Sequence, residues 1–154
     1  MTGYIVTALI DEFAGQVRTT MKSPEYGHPV HRELASGTGP CRSCLDQFRV
    51  GKEERLLVTY RPPSADGSLG APGPVFIHAE KCTRFDGQGF PPGLRSLPLL
   101  FEARAPGNRV VAAREATGEQ IDVAIAGLLS HDGATHLHVR HGIAGCFIAR
   151  VDRG

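Results

Sequence analysis

Tryptophan is absent from this chain, aromatic residues make up only 6% of it, and methionine occurs twice. So few rings leave little platform for stacking bases. Charge of one sign is missing as well: 17 Lys and Arg stand against 16 Asp and Glu, a formal net charge of +1, and no basic block stands out. The sequence therefore offers no general electrostatic drive toward nucleic acid or an acidic surface. No stretch approaches the roughly 20 apolar residues that a membrane-spanning helix needs. The short apolar run from Tyr4 to Ile10 is broken by Asp11 and Glu12, and it lacks the basic start and length of a signal peptide. A cytosolic protein with reduced thiols is the expectation. A P-loop, a Gly-rich dinucleotide fingerprint and a Gly-x-Ser-x-Gly elbow are also missing. Asp11-Glu12 and Glu53-Glu54 are sequence neighbours, so their side chains diverge; they read as solvated acids and not as a catalytic pair.

What the chain does have is 19 Gly and 11 Pro in 154 residues, a composition rich in turns. Its length suits one domain with a self-supporting core. Residues 1–39 read as an irregular N-terminal part, with room for one short helix, and 40–153 as the organised core. Strands are expected at Tyr4–Ile10, Arg55–Arg61, Val75–Glu80, Leu99–Arg104, Arg109–Arg114, Thr135–His141 and Cys146–Val151. Ala105-Pro106-Gly107-Asn108 has Pro and Gly where a type II turn needs them. In the last hairpin, a turn centred on Ile143 and Ala144 sets His141 opposite Cys146 and Val139 opposite Ile148. One main helix is expected near residues 119–130, with Thr117 and Gln120 as a capping box and Ile121, Ile125, Leu128 and Leu129 as its apolar stripe. The fold class that follows is α+β: a mostly antiparallel twisted sheet of about six strands, one main helix and long Pro/Gly-rich loops.

The chemistry gathers in Cys41-Arg42-Ser43-Cys44 and in His78-Ala79-Glu80-Lys81-Cys82. A structural zinc site takes four Cys or His ligands, usually as two close-spaced pairs from different segments. Cys41, Cys44, His78 and Cys82 meet that pattern, with a helical turn expected across Cys41–Val50. Zinc knuckles usually carry a Gly soon after the second Cys; here Leu45 and Asp46 follow. The same C-x-x-C suits dithiol redox chemistry at a helix N-terminus, but no strand precedes it. The bland alternative is four buried or half-buried thiols that simply pack. His136 and His138 alternate with Leu137 and Val139, which sets both imidazoles on one side of a strand, about 7 Å apart at Cα. For His136 a solvated sheet face is the favoured reading.

From Pro40 onward the chain resembles a bacterial family known as domain of unknown function 1203. The likeness rests on Pro40-Cys41-Arg42-Ser43-Cys44-Leu45 and on the run from Gly73 to Cys82. It continues in His138-Val139-Arg140 and Gly145-Cys146-Phe147. It covers about the last three-quarters of the chain, and it implies a small stand-alone bacterial protein with no established catalysis.

The leading functional expectation is a cytosolic binding protein whose site is lined by Cys44, His78, Cys82, His138 and Cys146 and whose ligand is zinc or a small molecule. The alternative is a thiol-dependent enzyme, redox or hydrolytic, that uses Cys44 or Cys146, the latter beside His141. A third reading, a protein-interaction module, draws on the Pro62–Pro74 loop.

Overall fold

Alternating burial along the C-terminal half builds the larger of two sheets. In this computed structural model, which describes residues 3–62 and 70–154, it comprises β1 (Tyr4–Thr7), β5 (Leu99–Ala105), β6 (Arg109–Ala116), β7 (His136–His141) and β8 (Phe147–Arg153). They run in the order β1-β8-β7-β5-β6, each antiparallel to its neighbours. The helix α2 (Gln120–Leu129) covers one face. Its buried residues Ile121, Ala124, Ile125, Leu128 and Leu129 join Phe101, Leu137, Val139 and Val151 in one apolar cluster. Spacing at three and four residues puts them on a single stripe, which is why this helix is legible before the fold is known.

The second unit is smaller. β2 (His31–Leu34), β3 (Glu54–Tyr60) and β4 (Gly73–His78) form an antiparallel sheet in that order. The helix α1 (Asp11–Thr20) packs with them, burying Ala14 and Val17. The cluster includes Leu56, Val58, Val75, Ile77, Phe48 and Cys41. The chain starts in the large sheet, builds the small one, and returns to the large sheet at β5. Tyr60 of β3 meets Phe147 of β8 with ring centroids 6.0 Å apart. No helix among the described residues is long and apolar enough to cross a membrane.

Several expectations need correction. Among the described residues the strands number eight in two sheets, not about six in one, and α1 and β2 occupy the stretch read as irregular. Gly15 and the Thr19-Thr20 end are weak helix formers, and the helix is held by tertiary packing. Asp11 and Glu12 at its start and Arg18 near its end suit the helix dipole. The capping box does not form. The Thr117 hydroxyl donates to the carbonyls of Arg95 and Leu97, because tying down that loop competes with capping. Val139 pairs with Ala149 and not Ile148, because a bulge lies between Val139 and Arg140. His141 does stand opposite Cys146, its N–H donating to the Cys146 carbonyl at 2.9 Å. Gly107 has φ 79° and ψ 10°, the values of the second central residue of a type II turn. Most of the Pro62–Pro74 loop lies outside the described residues.

Candidate metal centre

Cys41 and Cys44 sit in a tight turn that leads into β3's side of the small unit. Pro40 bridges to Gln47, Cys41 N–H donates to the Asp46 carbonyl at 2.9 Å, and Leu45 N–H donates to the Cys41 carbonyl at 3.0 Å. Leu45 takes the left-handed conformation, φ 56°, that a knuckle glycine would supply. Such a conformation costs about 1–2 kcal/mol for a residue with a Cβ. The Leu45 side chain is fully buried in the larger cluster, which offsets that cost by about 1.5–3 kcal/mol. The missing Gly is thus answered by burial. The helical turn expected over Cys41–Val50 is replaced by this knuckle, since a helix would turn Cys41 away from β4. Gly93 makes room for it: a Cβ there would collide with the Asp46 side chain.

His78 ends β4, paired with Arg55 of β3, and Cys82 follows one short excursion later. The ligand atoms of Cys41, Cys44, His78 and Cys82 all lie within 4.8 Å of one another. A tetrahedron with Zn–S of about 2.3 Å and Zn–N of about 2.0–2.1 Å has S···S edges of about 3.8 Å and S···N edges of about 3.5 Å. Cys41 Sγ lies 3.8 Å from Cys82 Sγ, and Cys44 Sγ lies 3.5 Å from His78 Nδ1. The thiols are free, and none is joined in a disulfide.

Outer contacts hold these groups in place. Glu53 Oε1 lies 3.3 Å from His78 Nε2, so a proton on Nε2 donates to the carboxylate and Nδ1 is left facing the sulfurs. Arg18 from α1 donates through Nε to the His78 carbonyl at 3.0 Å and through Nη2 to Cys82 Sγ at 3.5 Å. The His78 N–H lies 3.4 Å from Cys41 Sγ. Hydrogen bonds with Cys41 and Cys82 push the His78 imidazole up to about 10, with Glu53 adding to the effect. Hydrogen bonds from Cys41 and Cys44, then from His78 and Arg18, hold the Cys82 thiol far below its ordinary value. The same contacts with Cys41 and Cys82 push Cys44 up. Cys82 is thus the favoured thiolate over Cys44, and a cation between the sulfurs would stabilise both as thiolates. Glu53 itself is held low, first by the Arg49 backbone amide and then by His78.

The other residues singled out in the sequence lie elsewhere. His138 and His136 are both buried on the face of the large sheet opposite α2, ring centroids 5.2 Å apart; His136 is not on a solvated face, because that face is covered. His138 packs edge-on against Phe147 at 5.0 Å, and neither ring nitrogen has a hydrogen-bond partner among the described residues. Burial, then Arg104, His136, Arg140 and Arg150, hold its pKa down at about 3. Cys146 lines a cavity at the junction of the two units. Its hairpin neighbour His141 is engaged at both ring nitrogens. Nδ1 accepts from the N–H groups of Ile143 (3.2 Å) and Ala144 (3.3 Å), and Nε2 meets Thr38 Oγ1 at 3.1 Å. Neither Cys146 nor His138 belongs to the four-residue group.

Arg18 and Arg42 escaped the sequence reading, and Glu53, expected there as a solvated acid, is instead a half-buried partner of His78. Arg18 and Glu53 lie well away from their partners in sequence, and nothing local marks them. Arg42 sits inside the C-x-x-C itself, and its full burial was the missing signal.

No curated protein and no solved structure matches the chain. A family described as "Protein of unknown function (DUF1203)" matches residues 38–153, a span that holds all four clustered residues together with His138 and Cys146. The chain belongs to that family.

Proposed function

We propose that Cys41, Cys44, His78 and Cys82 bind one zinc ion in a closed tetrahedral site, and that this ion organises the smaller sheet. The supporting observation is the agreement of the S···S and S···N separations with the edges of a zinc tetrahedron. Four protein ligands leave no open position, the arrangement of a structural centre. Three thiolates and a divalent cation carry one net negative charge, and Arg18 at Cys82 compensates it. Glu53 orients His78 as carboxylates orient zinc-bound imidazoles. Thiolate ligands need a reducing compartment, so the same reading puts the protein in the cytosol.

Elemental mass spectrometry of untagged protein purified without chelator tests the reading, paired with a count of reactive thiols. One zinc per chain is expected, with Cys41, Cys44 and Cys82 protected from alkylation until the metal is stripped. Metal-free protein that also fails to take up added zinc would sink it. Iron in place of zinc would keep the site and change its metal.

A further inference from the structure

Arg42 is a buried cation, and the acidic groups that favour its charge are the cysteines Cys146 and Cys41. The residue is 2% exposed, and its Nε and Nη1 donate to the carbonyls of Phe147 and Pro40, each at 2.6 Å. Among the described residues no carboxylate pairs with it. An arginine does not deprotonate in a protein, so the charge persists, and holding it buried without a carboxylate is costly. The two carbonyls leave further N–H groups of the fork without these partners.

Arg42 lines a cavity of about 390 Å³ between the two units, within the range that holds small organic ligands. Leu57, Pro74, Phe76 and Ile143 provide apolar wall. Arg55 also lines it, but that charge is already satisfied. Its Nη2 lies 2.7 Å from Glu33, and its guanidinium stacks 3.7 Å from the Phe76 ring centroid. The second polar group is Thr38. Because His141 Nδ1 accepts from two backbone N–H groups, its proton sits on Nε2 and is donated to Thr38 Oγ1. The threonine hydroxyl, accepting there, is left to donate its own hydrogen. The cavity therefore presents a fixed cation and an oriented O–H donor above apolar walls.

We propose that this cavity binds a small organic carboxylate, its anionic head on Arg42 and Thr38 and its apolar body against Phe76 and Ile143. The site uses none of the four proposed zinc ligands, but its walls on β3 and β4 belong to the sheet that the ion is proposed to organise, so it is tested with zinc supplied. Charge-assisted bonds to a planar fork favour a carboxylate over a neutral isostere of the same body. Cys146, on the wall, is shielded when the ligand is in place.

The test is titration of the full-length ¹⁵N-labelled protein with benzoate, with benzyl alcohol as the uncharged counterpart, followed by backbone amide shifts. Saturable shifts are expected at Arg42, Phe76, Ile143 and Cys146, with benzyl alcohol about tenfold weaker or worse. Benzoate should slow alkylation of Cys146 by iodoacetamide. Arg42→Met should abolish the preference for benzoate. Because that variant removes two buried hydrogen bonds, Ala144→Phe serves as the second. Ala144 is exposed at the rim, so a folded protein with a filled cavity and no benzoate shifts is expected. Equal affinity for benzoate and benzyl alcohol overturns the proposal. So do benzoate shifts that persist in folded Ala144→Phe, or an absence of shifts at tens of millimolar benzoate and hexanoate alike.

Discussion

The two sheets reach order by different means. The five-stranded sheet buries a large apolar cluster under α2, with aliphatic side chains from every layer. The three-stranded sheet gathers roughly half as many buried residues, one of them Cys41, a core of the size that small folds reinforce with a staple. It carries the four clustered Cys and His residues that could hold a metal, supplied by the knuckle, the end of β4 and the turn beyond it. Where apolar area is short, the proposed zinc ion would supplement it through three thiolates and an imidazole. The larger sheet shows the reverse: its covered polar face holds His138 with no hydrogen-bond partner among the described residues, a cost that its large apolar cluster offsets.

Removing the metal should separate the two units most sharply. Structural zinc in small domains contributes apparent free energies of about 10–16 kcal/mol at neutral pH. Chelation, or Cys82→Ala, is therefore expected to abolish amide-exchange protection in β2, β3 and β4 while β5, β7 and β8 keep most of theirs. Protection lost evenly across both sheets would erase the distinction. Acid should act on the other unit. His138 is held at about 3 against an ordinary 6.5 by burial and by Arg104, His136, Arg140 and Arg150, with Glu102 paired across the strand. The unfolded chain takes up a proton that the folded chain refuses. His138 therefore costs nothing above pH 6.5 and destabilises progressively as the pH falls toward 3, on the order of 4–5 kcal/mol in full. His138→Leu should flatten that part of the stability curve, read by urea denaturation across the window; an unchanged slope would assign the acid sensitivity elsewhere.

Two smaller effects refine the contrast. Glu53→Gln keeps a hydrogen-bond acceptor for His78 but removes the charge, and zinc affinity measured by chelator competition should fall about 10–100-fold. The large sheet should not respond. Leu45→Gly relieves the left-handed strain yet empties a place in the larger cluster. The net loss should be about 1–2 kcal/mol by denaturant midpoint, since burial outweighs strain. A stabilised variant would mean that the knuckle, and not the cluster, dictates Leu45.

The sequence by itself determined α2, through its apolar stripe, and seven of the strands, through alternation and turn residues. It also named the four residues that cluster as a candidate metal site, because C-x-x-C followed by a spaced His and Cys is a chemical pattern independent of fold. It concealed α1 and β2, whose residues are weak formers held by tertiary contacts. Only the tertiary structure decided that Cys41 and Cys44 meet His78 and Cys82, since the pairs are joined through β3–β4 pairing and not by spacing. It alone supplied Arg18 and Glu53, buried His136, and left Arg42 facing a cavity. Periodicity reports what one segment does with its own faces; which charges meet across segments depends on register and burial, and those exist only once the chain has folded.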